Sequence, residues 1–260
     1  MNQRLENLIL GASRIARVIV FSFTIQPYYF LVVTLMLTAI RLLYFTSSIL
    51  PFKILLVLST EFSIPSFLDP YFSNNISFAY TLCLLIGVAI FMAKVLEVGI
   101  EYVARLKTKV ILGANYSRKP KRRDKLHNFI RKATDMASSF IVMGFSVGFL
   151  LVIEHKIAIV VFTLSIVCLA TFLMSTGKLG RYVASSPMKY MKNCLESISL
   201  ISFFSLVHIS INAPIPLPFL SLIVSLILIR QYTQSIDQVI SVALFFKNKD
   251  SMIERIFKKL

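Results

Sequence analysis

The sequence predicts an all-α fold, a polytopic membrane helix bundle of about six transmembrane helices with long cytoplasmic extensions, and three observations carry that expectation. First, 57% of the 260 residues are apolar and only 15% are charged, with a mean hydropathy of +0.77. That is more apolar surface than one soluble core of this size can hide, so lipid must cover the rest. Second, six stretches are apolar enough to cross hydrocarbon as helices, where a helix alone satisfies every backbone N–H and C=O. Third, Lys and Arg gather in alternate gaps between those stretches.

The first stretch runs from about Ile25 to Phe45, with Pro27 near its start, where proline costs little. The second runs from Phe78 to beyond Ala93. The third and fourth, Ala137 to Ile153 and Ile157 to Met174, are divided only by Glu154, His155 and Lys156, which reads as a hairpin. The fifth, Leu195 to Ile211, contains His208, and the sixth, Phe219 to Ile229, is apolar until Arg230. These last two are the weakest spans. Between them, Pro214, Pro216 and Pro218 favour an extended crossing. A further run, Ile49 to Leu58, is interrupted by Pro51 and Lys53 and is too short to span alone. It reads as the outward continuation of the first helix or as an interfacial segment.

Charge sets the threading. Arg4, Arg14 and Arg17, the basic loop from Arg105 to Lys132, the group Lys178, Arg181, Lys189 and Lys192, and the tail from Lys247 to Lys259 all fall on one side. The other side offers Glu61, Asp69 and Glu154 with Lys53 and Lys156. An even number of crossings with both termini cytoplasmic follows. The net charge of +16 is then the usual cytoplasmic bias of a membrane protein, and nucleic-acid binding is disfavoured because stacking aromatics are sparse around the basic loop. Lys119, Lys121, Arg122 and Arg123 are candidates for contact with anionic lipid.

Two helices are expected to outrun the membrane. Beyond the second span, Lys94, Glu97, Glu101, Arg105 and Lys109 recur at helical steps beside Val95, Val98, Tyr102 and Leu106. The stretch Ser117 to Lys125 reads as a turn, with helix resuming near Asp124. Past Arg230, Ile236, Val239, Ile240, Ala243 and Leu244 keep helical spacing. The organisation expected is an amphipathic N-terminal elbow over residues 1–24, a six-helix domain over 25–246, and a basic amphipathic tail over 247–260. Extensions of this kind point to a docking partner on the cytoplasmic side.

Single residues within the spans are weighed against structural roles. Arg41 is placed toward the outer leaflet, where it snorkels to headgroups or faces a pathway. Arg230 and Asp237, seven apart, share a helix face and pair with another helix or contact substrate. His208 is either a proton relay or a hydrogen-bonded member of the bundle. Glu97 and Glu101 are expected to pair with Lys94 and Arg105 along their own helix. Gly144 and Gly148 permit close helix approach. Cys83, Cys168 and Cys194 lack metal or disulfide spacing and read as small buried hydrophobes. No H-E-x-x-H, G-x-S-x-G or phosphate-binding loop occurs, Gly177-Lys178 lacking the preceding glycine and following hydroxyl, so neither a catalytic motif nor a cofactor site is expected in this chain.

The order of parts resembles the transmembrane domain of ATP-binding cassette exporters of the six-helix type. The resemblance is carried by Ile229-Arg-Gln-Tyr-Thr-Gln-Ser-Ile-Asp237, by Ser251-Met-Ile-Glu-Arg-Ile-Phe257, by Tyr102 to Tyr116, and by Asn193-Cys-Leu-Glu-Ser-Ile-Ser-Leu-Ile201. The chain is shorter than the usual domain, with the deficit near the fifth span, and no nucleotide-binding domain follows. The resemblance implies a membrane-spanning export subunit whose ATPase is a separate chain, assembling as a homo- or hetero-oligomer in a bacterial inner membrane. It places partner docking at Ala114, Asn115 and Tyr116 and at Pro187 and Met188. The competing expectation is a non-transporting structural or accessory subunit of a larger membrane complex, which should have a closed apolar interior rather than a polar one.

Overall fold

The computed structural model describes residues 27–59, 74–112, 120–174, 187–212 and 219–247; side chains at 104–112, 120–127, 169–174, 187–188, 219, 243–244 and 246–247 lie outside that description. Six helices make up the described chain: α1 (Pro27–Leu58), α2 (Asn75–Leu112), α3 (Pro120–Ile153), α4 (His155–Met174), α5 (Pro187–Asn212) and α6 (Phe219–Lys247). Each contains one of the six apolar stretches, and no strand occurs among the described residues.

Four are long and apolar enough to cross a membrane: Pro27–Leu58, Asn75–Val103, Asn128–Ile153 and Lys189–Asn212. The described apolar part of α4, His155–Cys168, is shorter. In α6 the apolar run stops at Ile229, ahead of Arg230, Gln231, Gln234 and Asp237. The weak fifth stretch therefore meets the criterion, while the sixth does not.

Local sequence explains the boundaries. Asn74 caps α2, its side-chain oxygen accepting from the Ser77 amide at 2.8 Å while the Ser77 hydroxyl donates to the Asn74 carbonyl. Helix α3 begins at Pro120 rather than near Asp124. The missing proline N–H costs nothing in a first turn, so the residue expected to mark a turn instead starts the helix. The run Ile49 to Leu58 continues α1 without a break, Pro51 included. A single non-helical residue, Glu154, separates α3 from α4; its amide donates to the Leu150 carbonyl at 2.8 Å and its own carbonyl accepts from Ala158 at 3.2 Å.

The helices build two kinds of interior. Leu150, Ile157, Val161, Leu195, Ile198, Leu206, Leu228 and Ile229 form an apolar core where α4 and α5 meet α6. Helix α1 lies along α2 through Tyr29, Val33, Ile40, Ala93 and Ile100, and at the far end through Val57, Phe78, Ala79 and Leu82. Between α1, α3 and α6 the packing of Phe30, Phe129, Ala133, Met136 and Val242 gives way to polar side chains. Large apolar residues also face outward, among them Tyr80, Phe91 and Val152. Such a surface suits lipid far better than water.

Candidate functional site: a polar seam between three helices

Thr34, Thr38 and Arg41 recur on α1 at four- and three-residue steps, so they share one face. That face meets α3 at Thr134, Asp135, Ser138 and Ser139, and α6 near Gln238. The Thr38 hydroxyl donates to the Thr34 carbonyl at 2.8 Å and lies 3.3 Å from the Ser138 hydroxyl. Arg41 spans all three helices: one terminal nitrogen donates to the Ser139 hydroxyl at 2.9 Å, the other to Gln238 Oε1 at 2.7 Å. Ser139 passes the chain on by donating to the Asp135 carbonyl at 2.7 Å. The Asp135 carboxylate supplies Arg41 with an electrostatic counter-charge, shared with Arg131 and Lys132 on its own helix.

Burial is what makes this seam unusual. Thr34, Thr38, Thr134, Ser138 and Ser139 are all buried. On α6, Thr233 and Ser235 are buried too, each closing onto its own helix through the Arg230 and Gln231 carbonyls. Asp237 Oδ1 and Thr34 Oγ1 are buried with no hydrogen-bond partner among the described residues. Buried polar atoms are normally satisfied, so these two mark positions where an incoming donor, or water, would be bound favourably. Arg41 has five N–H donors, and the seam engages two nitrogens, leaving donors for an anionic or carbonyl group.

The expected site residues are distributed unevenly around it. Arg41 sits in the seam near the middle of α1; because α1 continues to Leu58, position 41 is no longer near the outer end of its helix. Arg230 and Asp237 share a face by spacing, but Arg230 is exposed whereas Asp237 is half-buried, since α1 and α3 cover only the later part of α6. His208 is exposed on α5 and is bonded along its own helix, with Asn212 Nδ2 at 3.2 and 3.3 Å from its ring nitrogens and 2.9 Å from its carbonyl. It does not join the seam.

Pro187 and Met188 open α5, and Lys121, Arg122 and Arg123 lie in the first turns of α3. Ala114, Asn115, Tyr116 and Lys119 lie outside the described residues. The pairing of Glu97 is richer than helix spacing suggests. It accepts from Lys94 at 2.8 Å and from the Tyr44 hydroxyl of α1 at 2.9 Å, with the Lys94 ammonium 5.8 Å from the Tyr44 ring centre. A Cβ added at Gly144 or Gly148 would meet nothing within 4 Å, so no described helix uses their close-approach surface. None of the three cysteines forms a disulfide among the described residues, and Cys83 is exposed rather than buried. The Cys168 thiol lies within hydrogen-bonding reach of Cys194 across α4 and α5.

Gln238, Ser139 and Asp135 are the residues that sequence reasoning missed. The signal existed: Asp135, Ser138 and Ser139 lie where the polar first half of α3 meets its apolar second half, and Gln238 sits one position from Asp237. Among the described residues, no three His, Cys, Asp or Glu side chains come together as a metal centre would require.

Fold and surface define the class: this is an all-helical integral membrane protein. Comparison with known protein families, curated proteins and solved structures finds no match to the chain.

Proposed function

We propose that this chain crosses the membrane six times and is the spanning subunit of an ATP-driven export system whose ATPase is a separate polypeptide. The observation that carries this reading is the polar seam of α1, α3 and α6. Ionisable and hydroxyl groups buried inside a helix bundle cost desolvation, and they are retained where they line a pathway or lock helices together. A buried Thr34 hydroxyl without a partner among the described residues, on the same face of α1 as an arginine with donors to spare, suits a surface that meets a polar solute. The continuation of α2 to Leu112 and the start of α3 at Pro120 supply the long paired extensions that a cytoplasmic motor would grip. On this reading both termini are cytoplasmic and the subunit works as an oligomer.

A second reading, an accessory subunit without a pathway, is favoured by one feature: Arg41 already closes onto Ser139 and Gln238 within the chain. The two readings part in one experiment. The tagged chain is purified from its native membrane in mild detergent, and the eluate is assayed for associated ATPase and for copurifying subunits. A nucleotide-binding subunit in stoichiometric amount supports export. Recovery of the chain alone, or with membrane partners that lack ATPase activity, rejects it and leaves the accessory reading.

A further inference from the structure

The helices stand beside one another in a register that the apolar stretches alone do not reveal. Helices α1 and α2 run antiparallel. Val57 clusters with Phe78, Ala79 and Leu82 at one end; further along, Tyr44 reaches Glu97, and a Cβ on Gly99 would lie 3.3 Å from Met36 Cε. Helix α3 runs alongside α1 in the same direction, with Phe30 clustered with Phe129 and Ala133 and Arg41 at Ser139. Helix α6 runs the other way, placing Gln238 at Arg41 and Val242 in the cluster of Phe30. Arg41, Lys94, Ser139 and Gln238 therefore stand at one level.

This register sets two apolar stretches against each other. The described part of the first stretch, Pro27 to Phe45 on α1, does not lie beside Phe78 to Ala93 on α2. It lies beside the part of α2 that carries Glu97, Glu101 and Arg105, an offset of about 20 Å at 1.5 Å per residue. A flat bilayer cannot cover both. The remaining helices favour one level. From Arg41 to Leu58, from Lys94 back to Asn75, from Ser139 to Ile153 and from Gln238 back to Phe219, each helix has about 15 to 20 residues, or roughly 22 to 30 Å. The hydrocarbon layer is about 30 Å thick.

Outward faces change character at the same level. On α2 the exposed Lys94 and Glu101 and the half-buried Glu97, interleaved with exposed Val95, Val98 and Tyr102, give way to an unbroken apolar surface with Phe91, Val88, Leu84 and Tyr80. On α3 the exposed Asn128 and Arg131 give way to Phe140, Ile141 and Phe149. Helix α5 shows the same change along its own length, the exposed Lys192, Asn193 and Glu196 giving way to Leu200, Phe203 and Phe204.

We propose that the bilayer's hydrocarbon covers α1 from about Arg41 to Leu58 together with the facing stretches of the other helices, so that Arg41, Lys94 and Glu97 lie in one headgroup layer. Residues 27–40 of α1, with the adjoining ends of α2, α3 and α6, stand beyond that layer. This is the side on which Lys and Arg gather in the sequence, as the positive-inside bias requires. Lys53, about 8 Å from the Leu58 end, reaches the opposite headgroups along its aliphatic stem. The inference concerns only where lipid meets the chain, and it does not rest on the export reading.

The surface that decides the matter is the outward stripe Tyr28, Leu31, Val32 and Leu35, which is apolar but lies on the aqueous side of the proposed boundary. The chain contains no tryptophan, so one introduced indole is the only one present. Leu35 is 54% exposed and Leu55 64%, so tryptophan at either position faces outward without entering the core. The two full-length variants, Leu35→Trp and Leu55→Trp, are reconstituted in phosphatidylcholine vesicles with and without mid-chain bromination. Leu55→Trp is expected to emit in the blue and to lose at least half its intensity in brominated lipid. Leu35→Trp is expected to emit further to the red, to respond weakly to bromine, and to be quenched by aqueous acrylamide.

Strong bromine quenching of Leu35→Trp overturns the proposal, whether or not Leu55→Trp is quenched as well. Leu84→Trp on α2, level with Leu55 in the antiparallel register of α1 and α2, is expected to be quenched as Leu55→Trp is. Val32→Trp and Phe52→Trp repeat the comparison if a first variant does not fold.

Discussion

Helix α6 passes through two different interiors, and the contrast between them is the most informative feature of the molecule. Its first half, through Leu228 and Ile229, packs into the apolar core with α4 and α5. Its second half, through Gln238 and Val242, meets α1 and α3 at the hydrogen-bonded seam and the apolar cluster beside it. In the apolar part, association depends on shape, because lipid chains are as apolar as Leu and offer no hydrophobic gain on packing. In the seam, a few directional bonds fix the register of three helices at once. One half is held mainly by apolar packing, while the other adds directional bonds between three helices to its apolar packing.

Mutations should separate the two. The largest expected loss belongs to the apolar half: Leu228→Ala, at a fully buried side chain, should cost about 3 kcal/mol through its cavity. Denaturation in mixed detergent micelles measures it, and a cost below about 1 kcal/mol would show that the α4–α5–α6 core repacks freely. Arg41→Ala should cost about 2 kcal/mol, since it removes two charge-assisted hydrogen bonds and strands Gln238. A double-mutant cycle with Gln238→Ala should return a coupling of about 1 kcal/mol; additive effects would mean that the seam is not a network.

Smaller effects sharpen the contrast. Tyr232→Phe deletes a hydrogen bond from α6 to α4, made to the Ser165 hydroxyl at 3.0 Å. It should cost about 0.6 kcal/mol, the average for interhelical bonds in membranes. Gly144→Ala should change stability by less than about 0.5 kcal/mol, because nothing lies within 4 Å of the new methyl. A loss of self-association in that last variant, followed by crosslinking in vesicles, would reveal a packing surface used between copies instead.

How much of this was legible in the sequence varies by feature. Five helices were, because an apolar run of about 17 residues leaves the backbone few alternatives once lipid surrounds it, and the sixth was through the helical spacing that continues past Arg230. The continuation of α1 through Pro51 was ambiguous, since a proline removes one hydrogen bond without dictating whether neighbours hold the helix straight. Arg41 stood out as a charge in an apolar run. Its partners did not, because Ser139 and Gln238 are 98 and 197 residues away in the chain and no local spacing connects them. Glu97 shows the intermediate case: its bond to Lys94 follows from helix geometry, whereas its bond to Tyr44 needs α1 alongside.

The sequence by itself determined that the chain is helical, that its surface belongs in lipid, and which ends of its helices are basic. These are properties of single segments, set by backbone hydrogen bonding and by the transfer of side chains between water and hydrocarbon. Only the tertiary structure decided which helices share an interior, that Arg41 is held by α3 and α6, and that two apolar stretches stand at different heights. Those are relations between segments, and a side chain's partner depends on the relative shift of two helices, which neither helix encodes alone.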